Sequence, residues 1–132
     1  MKIHHIGYLV ENINLSINEF IKFGYKKTDD IIKDETRDIH IIFMYNGELF
    51  IELIQPASVS SPIFGLLKKY KNSPYHICYE TENLQKEIEK QIGGGGVLIQ
   101  SPSPAPAILG CPNVAFLMLP HIGIVELVEK II

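Results

Sequence analysis

Residues 5–13 read HIGYLVENI, and residues 76–84 read HICYETENL. At an offset of 71 residues, His5 falls on His76, Ile6 on Ile77, Tyr8 on Tyr79, Glu11 on Glu82 and Asn12 on Asn83. Ile13 falls on Leu84, and Gly24 on Gly95, at the same offset. A second match lies later in each half. Residues 50–54 read FIELI and residues 124–128 read IVELV, which sets Glu52 on Glu126 at an offset of 74. The small change of offset is an ordinary loop insertion. Self-similarity of this kind predicts two copies of one supersecondary unit.

The pattern around each copy predicts what that unit is. Ile3–Val10 alternates in polarity and is rich in apolar residues, as a strand is. Asn12 or Asn14 can cap a helix that runs to about Phe23, with Ile13, Ile17, Phe20 and Ile21 on one face. Gly24 is placed to end it. Tyr25–Lys33, Ile39–Tyr45 and Glu48–Gln55 then read as strands, with Asn46-Gly47 as a tight hairpin between the last two. The second copy repeats the order: strand Tyr75–Glu80, helix Asn83–Gln91 with Gly93–Gly96 as its exit, then strands Val97–Gln100, Val114–Leu119 and Ile122–Glu129. Four prolines make Ser101–Pro112 an extended, stiff loop. Between the copies, Pro56–Ser73 is a connector with a short helix over Pro62–Tyr70. The fold class is α+β: two β-α-β-β-β modules, eight strands in all, in one mixed sheet. Module one spans about residues 1–56, the connector 57–73 and module two about 74–132.

The repeat puts chemistry in equivalent places. His5 and His76 lie on the first strand of each module, Glu52 and Glu126 on the last. Side chains alternate faces along a strand, so His5 shares a face with Ile3, Gly7 and Leu9, and His4 belongs to the other. Glu52 sits with Phe50 and Ile54, Glu126 with Ile124 and Val128. A charge on such an apolar strand is costly unless something pairs with it. A lone strand histidine is ordinarily a packed core residue; recurrence of all four positions in register argues for more. Two imidazoles and two carboxylates form a mixed nitrogen and oxygen set suited to Ni²⁺, Co²⁺ or Zn²⁺, with Mn²⁺ a further fit. His4, His40 and His121 lack repeat partners and read as surface or hydrogen-bonded histidines. Gly93–Gly96 lacks the lysine and Ser/Thr of a phosphate-binding loop.

Composition closes off other classes. The chain has 132 residues, 46% hydrophobic and 20% charged, which suits one globular domain of the usual ~100–200 residues. No stretch approaches the roughly 18 apolar residues of a membrane span. Met1 is followed at once by a patterned strand, with no basic leader and apolar core, so no export signal is expected and the cytoplasm is the expected compartment. Cys78 and Cys111 fit no CxxC pattern and suit a reducing compartment as small buried hydrophobes. The net charge is −3 and Arg37 is the only arginine, against nucleic-acid binding. Lys68, Lys69 and Lys71 form a cluster that could attract an anionic small molecule but reads first as a solvated helix end.

The runs HHIGYLV, FIELIQP, SPIFGLLKKY, YHICYETENL, VAFL and IVELVE together resemble the vicinal oxygen chelate superfamily, within it the glyoxalase I and methylmalonyl-CoA epimerase type, over nearly the whole chain. The resemblance implies a cup-shaped sheet, a homodimer, and a divalent metal held by His5, Glu52, His76 and Glu126. It implies proton transfer through a metal-chelated enediolate or enolate, with Glu126 as ligand and base and Glu52 as ligand and second acid/base. The substrate it implies is a small thiol adduct, as in lactoylglutathione lyases, or an acyl-CoA thioester, as in the epimerases. The paired carboxylates, with apolar Ile41 near the place of an acid proposed in some epimerases, rank glyoxalase I first. Extradiol-type dioxygenases and small-molecule binding or antibiotic resistance proteins are the more distant alternatives.

Overall fold

The computed structural model describes residues 1–131; residue 132, the end of the predicted second module, lies outside them. The elements run β1 (Ile3–Leu9), α1 (Ile13–Ile21), β2 (Lys26–Lys27), β3 (Ile32–Asp34), β4 (Ile39–Tyr45), β5 (Phe50–Pro56), α2 (Phe64–Tyr70), β6 (Ser73–Thr81), α3 (Leu84–Gly93), β7 (Val97–Pro104), β8 (Asn113–Leu119) and β9 (Gly123–Glu129). These residues form two compact units. One is residues 6–75; the other joins residues 1–5 to those from 76 onward. The division passes through β1, so His5 belongs with the second unit and Ile6–Leu9 with the first.

In the unit of residues 6–75, the strands pair in the order β2-β4-β5-β1, and β3 also pairs with β4. β1 and β5 are parallel, with Gly7 opposite Glu52. β4 and β5 are antiparallel, with Phe43 opposite Glu52. In the other unit the order is β6-β9-β8-β7. β6 and β9 are parallel, with Cys78 opposite Glu126, and Phe116 on antiparallel β8 also lies opposite Glu126. Each glutamate is therefore flanked by a first-strand residue two places after the repeated histidine and by a phenylalanine. The sequence repeat is a repeat of hydrogen-bond register, and the pairing is mixed parallel and antiparallel, as the patterning predicts.

The helices repeat as closely. Asn12 and Asn83 are both N-caps, with φ/ψ of −139°/102° and −142°/99°. Asn12 Oδ1 accepts from the Leu15 amide and Asn83 Oδ1 from the Lys86 amide. Such a cap satisfies an amide that the helix itself leaves open. α1 lays Ile13 and Ile17 on Val10, Ile42, Met44, Ile51 and Leu53. α3 lays Leu84 and Ile88 on Ala115, Leu117, Val125 and Leu127.

Several elements depart from the pattern. The expected strand Tyr25–Lys33 is broken into β2 and β3, so nine strands stand among the described residues where eight are expected. Asp29 Oδ1 accepts the Asp30 amide at the break, and aspartates that bond nearby backbone in this way compete with a strand ladder. β7 runs on through Pro104 into the expected loop. It lies at the end of its unit's strand order and pairs with β8 across two register shifts, where proline is tolerated. Cys78 is buried but Cys111 is exposed, at φ 49°, so only one cysteine packs as expected. Gly93–Gly96 is a helix exit: a Cβ on Gly96 would lie 2.9 Å from the Gln91 carbonyl oxygen. No helix among the described residues is long and apolar enough to cross a membrane.

Candidate metal centre

His5, His76 and Glu126 all lie in the unit that joins residues 1–5 to the second repeat, on β1, β6 and β9. Strand alternation turns all three to buried positions; His5 is 0% exposed, and His76 and Glu126 are each 3% exposed. Their polar atoms converge. His5 Nε2 lies 2.9 Å from Glu126 Oε1, His76 Nε2 lies 3.2 Å from the same oxygen, and the two Nε2 atoms are 3.3 Å apart. Phe116 packs edge-on against the His76 ring, with centroids 5.1 Å apart, and restrains its orientation.

The triangle has a chemical meaning. Both contacts to Glu126 Oε1 are short enough for hydrogen bonds, yet neither is aligned as one, and among the described residues that oxygen accepts no hydrogen bond. Buried polar atoms are rarely left so. Donor atoms at about 2.1 Å from a cation, placed at right angles around it, stand about 3.0 Å from one another. The observed edges of 2.9, 3.2 and 3.3 Å match that spacing. Two imidazole nitrogens and a carboxylate oxygen also match the preference of late first-row divalent metals. These three residues fit the group that the sequence suggests.

Glu52 is buried on β5, in the other unit, with the same register in its unit that Glu126 has in its own. His121 is exposed and His40 half-buried on β4. His4 is half-buried and hydrogen-bonded, its Nδ1 2.8 Å from His5 Nδ1. That contact and the Phe116 packing were not foreseen; the doublet His4-His5 is the one sequence signal that pointed to the former.

Electrostatics at Glu126 follow from the geometry. Burial opposes ionisation, but the polar contacts and charge of His5, then those of His76, outweigh it and hold the carboxyl well below the usual carboxylate range. The native state therefore holds this proton more weakly than the unfolded chain does. Its contribution to stability is complete above the unfolded value, about 4.3, and is lost as pH falls from there towards the native value. In chelator-treated protein, the unfolding free energy of wild type minus that of Glu126→Gln should decrease between pH 5.5 and 3.5. The slope should approach ~1.4 kcal/mol per unit at the acid end. Denaturant titrations at each pH give the difference; a difference that grows as pH falls contradicts this assignment.

Comparison with known proteins fits the fold. The family model described as Glyoxalase/Bleomycin resistance protein/Dioxygenase superfamily matches residues 4–115. A mitochondrial methylmalonyl-CoA epimerase of Mus musculus is 20% identical over 88 residues, which are 66% of this chain and 49% of that protein. The match thus spans about half the length of that relative. A solved hypothetical protein from Bacillus halodurans C-125 is 25% identical, with a TM-score of 0.87 over 99% of this chain and 95% of its own. A Streptomyces coelicolor methylmalonyl-CoA epimerase variant, in complex with 2-nitronate-propionyl-CoA, is 17% identical. Its TM-score is 0.84 over 100% of this chain and 99% of its own, a likeness of fold.

Proposed function

Since the chain belongs to the glyoxalase/bleomycin resistance/dioxygenase superfamily, we propose that it is a divalent-metal-dependent enzyme that moves a proton at the carbon next to a thioester carbonyl, as a methylmalonyl-CoA epimerase does. The observation that carries this reading is the buried triangle of His5 Nε2, His76 Nε2 and Glu126 Oε1, with edges of 2.9–3.3 Å. The substrate class rests on the relatives, named as epimerases and in one case in complex with an acyl-CoA analogue.

A cation held there supplies Lewis-acid stabilisation of the negative charge that develops on a carbonyl oxygen as the neighbouring carbon loses its proton. His5 and His76 provide neutral nitrogen donors and Glu126 an anionic oxygen. Burial of all three keeps competing water away and strengthens their electrostatics. Glu52, at the repeat position of Glu126, completes the ligand set in this reading; drawing ligands from both repeats is the reason to treat residues 1–132 as one functional domain. In this reading Glu126 serves as ligand and base and Glu52 as ligand and second acid/base, since a carboxylate that reaches the reacting carbon can take up its proton.

Isomerisation of a hemithioacetal, which the resemblance alone ranks first, uses the same proton chemistry, but none of the relatives reported above is named for it. Protein loaded with Co²⁺, Ni²⁺ or Zn²⁺ should exchange the C2 proton of methylmalonyl-CoA in deuterated water, read by mass spectrometry. Glu52→Gln should retain most of the cation and lose exchange by about 100-fold or more. Thioester formation from methylglyoxal and glutathione, without exchange in the acyl-CoA, would move the assignment to glyoxalase I chemistry. Activity on neither would overturn the reading.

A further inference from the structure

The mechanism above leaves His4 unused. Its Nδ1 lies 2.8 Å from His5 Nδ1, with the rings edge to face at 82°. Successive side chains on a strand ordinarily point to opposite faces, so this contact is one that alternation does not foretell. Two ring nitrogens at that separation share a single hydrogen: one donates and the other accepts. A neutral imidazole carries its proton on one nitrogen only. The owner of the shared hydrogen therefore decides what His5 presents at Nε2. With the hydrogen on His5 Nδ1, Nε2 is a bare lone pair beside Glu126 Oε1 and His76 Nε2. With the hydrogen on His4, a neutral His5 carries its own proton on Nε2, where it blocks donation to a cation.

We propose that His4 is a positioning residue. It accepts the Nδ1 proton of His5 and so holds His5 in the tautomer whose Nε2 is the metal donor. This rests on the reading of His5 as a ligand. Metal-bound histidines are commonly oriented through the second ring nitrogen, by a carboxylate, a backbone carbonyl or water; here the preceding residue's imidazole takes that part. The same flank offers one competing use of these atoms. Cys78 Sγ lies within 4.8 Å of the donor atoms of His4 and His5, and the three could serve a second, softer cation.

The test uses ¹⁵N-histidine-labelled full-length protein. Long-range ¹⁵N–¹H correlation spectra, recorded without cation and with one equivalent of Zn²⁺, report which nitrogen of His5 holds the proton. Competition with a chromogenic chelator gives the Zn²⁺ affinity. In wild type, His5 should be protonated on Nδ1 in both states. His4→Leu should lose that preference without cation and bind Zn²⁺ about 10- to 100-fold more weakly, as loss of an outer-shell partner does. His4→Asn, which returns an acceptor oxygen near the place of Nδ1, should recover most of both. Protonation of His5 on Nε2 in cation-free wild type, or unchanged Zn²⁺ affinity in His4→Leu, overturns the proposal. So does a Cys78→Ala variant that loses as much affinity with the His5 tautomer intact, since that outcome assigns the atoms to a second cation. Wild type that binds no Zn²⁺ sinks the metal reading itself, while the cation-free spectrum still decides where the His5 proton sits.

Discussion

Replacing Glu126 by alanine is expected to abolish tight divalent-cation binding and to lower turnover by more than 100-fold, while the protein stays folded. The lower bound follows from position. Even a partner that only orients a ligand costs about 10- to 100-fold in affinity or activity when removed, and Glu126 supplies the donor atom itself. Its Oε1 is the vertex that both Nε2 atoms approach, and it is the anion among the three. In the proposed set Glu52 would then be the one carboxylate left beside two neutral imidazoles, too little negative charge to offset a buried dication. The two Nε2 atoms, already 3.3 Å apart, could instead share a proton with each other. Cation content of protein purified with added Co²⁺ or Zn²⁺, chelator competition and the deuterium-exchange assay give the result, with circular dichroism to confirm the fold. Wild-type affinity in Glu126→Ala would remove this residue from the site.

Which of these residues could be read from the sequence depends on what a repeat preserves. It preserves strand register, so the equivalence of His5 with His76, and of Glu52 with Glu126, is legible without coordinates. The structure places Glu52 and Glu126 opposite Gly7 and Cys78, two places beyond the histidines, in matching parallel pairs. It also chooses Asn12 over Asn14 as the cap, the position that Asn83 repeats. Phe116 lies opposite Glu126 across an antiparallel pair, as Phe43 lies opposite Glu52; the repeat preserves this too, but cross-strand neighbours are not adjacent in sequence, so the pairing is not legible there. His4 is hydrogen-bonded, as one of the two readings open to it in the sequence has it, but its partner is not legible there, because alternation describes where a Cβ points and not where a ring swings. The break between β2 and β3 turns on aspartate side chains that capture backbone amides, a local competition that hydrophobic periodicity does not register. The extension of β7 through Pro104 depends on its place at the end of a strand order, and edge position is a property of the assembled sheet.

The same alternation that turns Glu126 into the site turns Leu127 the other way, and this separates folding from function. Leu127 is 2% exposed and packs with Leu84 and Ile88 of α3 and with Ala115, Leu117 and Val125. Leu127→Ala should cost about 2.7–5 kcal/mol, the sum of lost transfer energy and the cavity left behind. Against a typical total of ~5–15 kcal/mol, that is enough to lower the unfolding midpoint steeply. The site should nevertheless survive in the molecules that remain folded. Glu126 is held by hydrogen-bonded strands on both sides, β6 and β8, and its carboxylate leaves the strand on the face opposite the cavity. Below the new unfolding midpoint, Leu127→Ala should bind Zn²⁺ within a few-fold of wild type. Glu126→Ala should instead lose affinity out of proportion to its loss of stability. Denaturant unfolding followed by circular dichroism, with chelator competition at low temperature, measures both quantities on both variants. Equal losses of affinity in the two would mean that the triangle depends on the packing beneath it, and that strand register alone does not hold the site.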